Sequence, residues 1–97
     1  MMTFSANQKQ ESALRGLAFW AAQREYAREY YGTDSPEASE ARKSERLAED
    51  VAAKNGIPDW VGAAVVFWAD EWRRYSDGAM RLVMERKGIF FTAEAVR

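Results

Sequence analysis

Apolar positions in the first third of the chain, residues 6–31, recur at helical spacing on two separate faces. At about 100° per residue, one face carries Leu14, Leu17, Ala18 and Ala21. A second stripe lies more than a right angle away and consists of Phe19, Tyr26 and Tyr30. Trp20 and Tyr31 widen the first face on its far side. The pattern predicts a helix that lies between two neighbours or offers one face to a partner.

Local signals mark where this helix and the next one begin. Ser5, followed three residues later by Gln8, matches a capping box, in which each side chain satisfies a free N–H of the other residue's backbone. Ser35 and Pro36 fit the N-cap and the first position of a second helix. An Asn-Gly-Ile-Pro run stops that helix, so we expect it to cover residues 36–55.

The second helix carries a thin apolar stripe among mostly charged positions. The stripe consists of Ala41, Leu47, Ala48, Val51 and Ala52. Alanine side chains are short, so they allow a neighbouring helix to approach closely. The pattern predicts a surface helix that packs through one narrow seam.

A regular 4-3 spacing of apolar residues follows from residue 58. Its members are Val61, Val65, Trp68, Trp72, Tyr75, Ala79 and Leu82. Because the spacing crosses the Ser-Asp-Gly run at 76–78 in phase, it favours one long helix over 58–87, with a kink or two helices as the alternative. In the tail, residues 88–97, we expect Ile89 and Phe90 to close the core and Thr92 to cap a short final turn.

Together the three segments predict an all-α fold. Short connections make consecutive helices antiparallel. We expect residues 1–97 to form a single helical domain, a small three-helix bundle with a long third helix and a short C-terminal turn, or a four-helix bundle if the third segment is divided.

Composition excludes most catalytic chemistry. The chain has no His and no Cys, so it lacks an imidazole base, a thiol nucleophile and the usual transition-metal ligands. Pairs of carboxylates such as Glu45 and Glu49 occur four residues apart and are expected on the surface. No glycine-rich phosphate loop is present. We therefore expect a protein that is not an enzyme and that holds no metal and no cofactor.

Net charge and hydropathy argue against two classes of partner, nucleic acid and membrane. The net charge is −1, and the basic pairs are interleaved with acids, so we do not expect nucleic-acid binding. The outline of a helix-turn-helix over 47–66 fails, because its second helix would present Asp59 and Trp60 to the bases. The longest apolar run, 61–69, is too short to cross a bilayer, and the first residues lack a signal-peptide pattern. These features predict a soluble cytoplasmic protein without a membrane partner.

Aromatic residues make up 13% of the chain, which is more than three segments can easily bury. The candidate partner-binding residues are Phe19, Tyr26, Tyr30, Tyr31, Trp72, Arg73 and Phe91. Trp72 fits either the core or a docking surface. A homodimer is one way to bury the aromatic side chains that the fold leaves exposed, and binding to an unknown protein partner is another.

The leading hypothesis is a non-enzymatic protein-binding module that acts as an adaptor, or as an inhibitor that occludes its partner. One form of it is a phage or mobile-element inhibitor of a host defence machine, as anti-CRISPR proteins are. That form rests on short length and missing motifs rather than on any residue. The alternative hypothesis is a helical protein that binds nucleic acid or regulates transcription.

Overall fold

The computed structural model describes residues 2–91, leaving aside the side chain of residue 77, and this part is mostly helical, as the sequence predicts. Its elements follow along the chain in the order β1 (Phe4–Ala6), α1 (Gln8–Tyr31), α2 (Pro36–Lys54), α3 (Asp59–Phe67), α4 (Ala69–Arg74), α5 (Asp77–Arg86) and β2 (Ile89–Phe91). The described part of the chain contains no helix that is long and apolar enough to cross a membrane.

Helix α1 begins two residues later than predicted. The Asn7 side chain accepts a hydrogen bond from the Gln10 N–H at 2.8 Å, and the Gln10 side chain accepts one from the Asn7 N–H at 3.0 Å. This is the predicted capping-box geometry on a different pair, because Ser5 belongs to strand β1. The face of α1 that carries Leu14 and Leu17 is buried, as expected.

Helix α2 matches its prediction within one residue. Ser35 is its N-cap, with the hydroxyl accepting from the Ala38 N–H at 3.1 Å, and Pro36 occupies the first turn. Helices α1 and α2 pack together as an antiparallel pair through small residues. The buried alanines at this seam near the loop are Ala27, Ala38 and Ala41. Leu47 and Val51, predicted on the seam, are instead exposed.

The structure corrects the prediction of one long third helix over 58–87. Trp68 has ψ of 11°, far from the α-helical value, and separates α3 from α4. Tyr75 is extended, with ψ of 161°, and Ser76 then caps α5 by accepting from the Ala79 N–H at 3.3 Å. A serine side chain offers the backbone a partner that competes with helix continuation.

The break at Tyr75 changes which side chains the last helix buries. Tyr75 and Leu82 belong to the predicted seam but are exposed. Met80 and Met84, one turn apart, are fully buried together with Ile89. Because Tyr75 is extended, the faces of α5 are rotated relative to those of α4. The regular apolar spacing therefore predicts the buried side chains only as far as Trp72.

The two ends of the described chain pair as a two-stranded parallel sheet. The sequence did not predict this sheet. The register pairs Phe4 with Ile89, Ser5 with Phe90, and Ala6 with Phe91. Gly88 precedes β2 with φ of +85°, a conformation that favours glycine. The apolar residues that follow α5 form a strand over 89–91, and the short C-terminal turn expected from Thr92 lies outside the described residues.

The core lies between α1 and the helices α3, α4 and α5, and the small sheet covers one side of it. Its larger buried apolar side chains are Leu14, Leu17, Ile57, Val61, Val65, Trp72, Met80, Met84 and Ile89. This arrangement covers one face of α1 with α3 and α4 and another with α2. The aromatic stripe predicted on α1 is largely exposed, with Phe19 bordering α4 and Tyr26 bordering α2.

Candidate partner-binding surface

Three aromatic side chains on the outer face of α1 form an exposed line that we call the aromatic ridge: Phe19, Tyr26 and Tyr30. They are 50%, 44% and 70% exposed. Residues seven and eleven positions apart return to the same side of a helix, so the ridge extends for roughly 16 Å along α1. An exposed aromatic line of this length is unusual on the surface of an isolated small protein.

The tyrosine rings at the end of the ridge are ordered by one another. The rings of Tyr26 and Tyr30 stack with centroids 5.5 Å apart and an interplanar angle of 9°. Tyr31 meets Tyr30 edge to face at 4.9 Å, although its own side chain turns towards α2. Rings held in this way lose little side-chain freedom when a partner covers them.

At its other end the ridge borders a shallow cleft between α1 and α4, with a volume of about 170 Å³. The cleft is lined by Arg15, Ala18, Phe19, Ala69, Trp72 and Arg73. The structure therefore brings together Phe19, Trp72 and Arg73, three of the residues that the sequence singled out. They are far apart in sequence and meet because α4 packs against α1.

Trp72 belongs to the core rather than to the free surface. It is 8% exposed, and the Arg15 guanidinium lies 5.8 Å from its ring centroid. The Phe91 ring meets it edge to face at 5.8 Å, so Phe91 is half-buried behind the cleft. Trp72 thus lines the cleft from the core side with Phe91 packed against it, and Phe19 and Arg73 form the exposed rim of the cleft.

Charge around the cleft is mixed. Arg73 is exposed, with one guanidinium nitrogen 3.5 Å from an Asp70 carboxylate oxygen. Arg74 takes the other oxygen of the same carboxylate at 2.9 Å. Because surface ion pairs of this kind contribute about 0–1 kcal/mol, Arg73 can exchange its contact for a better acceptor at little cost.

Two buried carboxylates were not anticipated from the sequence. Glu45, expected on the surface, is only 1% exposed. It accepts from Arg24 at 2.6 Å and 3.3 Å, and from Arg42 at 2.8 Å. These hydrogen bonds from α1 and α2 meet on one side chain. The hydrogen bond that Arg24 donates to Glu45 raises the pKa of Arg24 above its ordinary value, while burial acts in the opposite direction.

Glu11 is the second buried carboxylate, and it connects α1 to α5. One of its oxygens lies 2.8 Å from Arg15 and 2.8 Å from Arg81. Arg81 also donates to the Phe91 carbonyl at 3.4 Å and lies over the Phe91 ring at 5.4 Å. A sequence signal existed, because Glu11 lies three residues before Leu14 on the buried face of α1.

Arginine side chains occupy the buried carboxylates of the described chain. Each buried carboxylate is held by two arginines. Within residues 2–91, no buried polar side-chain atom lacks a partner, and no group of three acidic residues could hold a metal ion. What the surface offers a ligand is exposed aromatic area beside a cleft with an arginine at its rim.

No family model, curated protein or solved structure matches the chain, so a function has to be inferred from its own residues.

Proposed function

We propose that this chain is a non-enzymatic, cytoplasmic protein-binding module that works as an adaptor or as an inhibitor by covering part of its partner. The aromatic ridge carries the proposal. Tyrosine and other aromatic residues are enriched where proteins bind one another, because they bury a large area at a low cost in side-chain freedom. The ridge presents three such residues on one rigid helix.

The cleft suggests the chemistry of the partner. Its volume of about 170 Å³ suits one large apolar side chain beside Phe19. Arg73 at the rim would bind a carboxylate, since a guanidinium donates two parallel hydrogen bonds to it. The partner we propose is a folded protein whose surface presents an apolar side chain next to an acidic one.

An inhibitor encoded by a phage or mobile element, blocking a host defence machine as anti-CRISPR proteins do, is one form of this proposal. An occluding inhibitor needs a rigid binding face and no catalytic group. The ridge on α1 and the shape of the cleft support that form as much as they support an adaptor.

Capture from a lysate of the source organism, followed by mass spectrometry, tests the proposal when variants are compared. The binding variant replaces both Phe19 and Tyr30 with alanine. The control, Phe67→Ala, removes an aromatic side chain that is 77% exposed on α3. We expect a partner that the wild type and the control retain and that the binding variant loses.

The partner is then purified, and its affinity is measured by calorimetry. Loss of two interface aromatics should weaken binding by at least about tenfold. Equal affinity for the binding variant would contradict the proposal, as would equal loss in the Phe67 control. A mobility shift of labelled nucleic acid with a steep dependence on salt would instead favour a nucleic-acid-binding function.

A further inference from the structure

A second surface, between α1 and α2, meets the aromatic ridge at Tyr26 and has features that point to a different occupant. Two neighbouring pockets, of about 370 Å³ and 520 Å³, lie along the junction of α1 and α2 and share Trp20 and Ser44 in their walls. We call this the α1–α2 groove. Because α1 and α2 are antiparallel, its two ends carry different residues from each helix.

The middle of the groove is apolar, with one prominent side chain. Leu47 stands on its α2 edge and is 66% exposed. The surface around it is made of small residues: Ser12, Ala13, Gly16, Ser44 and Ala48. Small residues beside a large exposed one provide both a projection and a recess on the same face.

The two ends of the groove carry opposite charge. Glu37 and Glu40 line the end near the α1–α2 loop. At the other end, Lys54 lies one turn beyond Val51, and Lys9 lies one turn before Ala13. In the described part of the chain, neither lysine is in an ion pair, and Glu40 has only an exposed contact of 3.7 Å with Lys43. The face is therefore acidic at one end and basic at the other.

We propose that the α1–α2 groove binds a second copy of this chain as a two-fold symmetric dimer. Glu40 and Lys54 each lie seven residues from Leu47 along α2, a distance of about 10 Å. A two-fold axis that crosses the groove at right angles to the helices near Leu47 therefore places Glu40 of one copy against Lys54 of the other. The same axis brings the two Leu47 side chains together, each beside the small residues Ser44 and Ala48 of the opposite copy.

The orientation is fixed by the same charges. A two-fold axis parallel to the helices would instead place Lys54 near Lys9 of the other copy and would leave Glu40 opposite the uncharged Gln23 and Tyr26 end of α1. The contact between lysines is unfavourable and Glu40 has no cation opposite it, so the charges favour the antiparallel arrangement. From Glu37 to Lys54 the face is about 26 Å long, and two helices are roughly 20 Å wide. Its projected area of roughly 500 Å² lies below the 800 Å² per partner of a standard interface, so we expect a dimer that dissociates at micromolar concentration.

Sedimentation equilibrium across the micromolar range tests this inference, which does not depend on the proposed function. We expect Leu47→Glu to weaken the dimer by at least about tenfold. Phe67→Glu is the matched control, because it places the same charge on an exposed apolar residue of α3 and should leave the dimer unchanged. Circular dichroism checks that both variants remain folded.

A charge exchange gives the sharper test. Glu40→Lys alone and Lys54→Glu alone should each weaken the dimer, because each places like charges opposite one another. The variant that carries both changes restores opposite charges across the interface and should recover most of the affinity. A wild-type chain that remains monomeric throughout would overturn the inference. So would a double variant as weak as the single ones, or a Leu47→Glu variant as tight as the wild type.

Discussion

Removing the Glu45 carboxylate tests whether the buried ion-pair cluster holds α1 against α2. The Glu45→Ala change leaves the partly buried Arg24 guanidinium without the acceptor that it reaches at 2.6 Å. Removal of one member of a buried pair typically costs about 3–5 kcal/mol, because the remaining charge stays desolvated. Arg24 retains Glu25 at 2.9 Å, so the lower end of that range, about 3 kcal/mol, is expected.

Urea unfolding followed by circular dichroism measures the loss. For a domain of this size, about 3 kcal/mol corresponds to a fall in Tm of roughly 12–24 °C. The control is Glu49→Ala, one turn along the same helix, whose exposed carboxylate lies 3.9 Å from Arg42. An exposed pair of this kind should contribute less than about 1 kcal/mol. The change at Glu45 should therefore be several times larger than the change at Glu49.

The pH dependence has a defined sign. Because Glu45 raises the pKa of Arg24 in the folded state, the Arg24 contribution to stability is fully present at every pH below the ordinary arginine pKa. It is lost only as the pH rises through the higher folded pKa. The Arg24 contribution should therefore be constant across neutral and mildly alkaline pH.

A loss of unfolding free energy below about 1 kcal/mol in Glu45→Ala would refute the assigned role of Glu45. Equal losses in the Glu45→Ala and Glu49→Ala variants would refute it as well.

Three further changes test the core, a cap and the closing turn, each by urea unfolding. Trp72→Ala should lower the free energy of unfolding by about 3–5 kcal/mol, since the ring is buried against Phe91, and a loss under about 1 kcal/mol would place it outside the core. Ser76→Ala should cost about 1 kcal/mol and speed amide exchange in the first turn of α5; unchanged exchange would contradict the capping role. Gly88→Ala should cost about 2 kcal/mol, because φ is +85° and a Cβ would lie 2.5 Å from the Met2 carbonyl oxygen; full stability in this variant would show that the turn adapts.

Local signals explain which parts of the fold were predictable. Ser35 and Pro36 mark the start of α2 without reference to the rest of the chain, and the prediction of that helix is confirmed. Ser76 carried a similar signal for α5, but the in-phase apolar spacing outweighed it in the prediction. The break at Trp68 has no Pro, Gly or capping side chain next to it. It depends on tertiary packing, which a local pattern does not contain.

Long-range pairing explains the rest. The sheet joins Phe4 to Ile89 through strands of three residues, too short to show an alternating pattern. The buried Glu45 was missed for another reason, since acidic residues are seldom buried unless they are paired. Glu45 lies on the same face of α2 as Ala41 and Ala52, and this helical spacing was the sequence feature that indicated its burial. At the candidate site, the exposed ridge follows from helical spacing on α1, but the meeting of Phe19 with Arg73 required the packing of α4.

The parallel pairing of β1 with β2 also determines how the described chain resists a pulling force. Because the strands run the same way, a pull on residue 2 and a pull on residue 91 act at opposite ends of the ladder. The hydrogen bonds between the strands are then sheared together rather than opened one after another. We expect optical-tweezers traces from these two positions to show a single abrupt rupture before the helices extend, whereas gradual lengthening from the lowest force would contradict it.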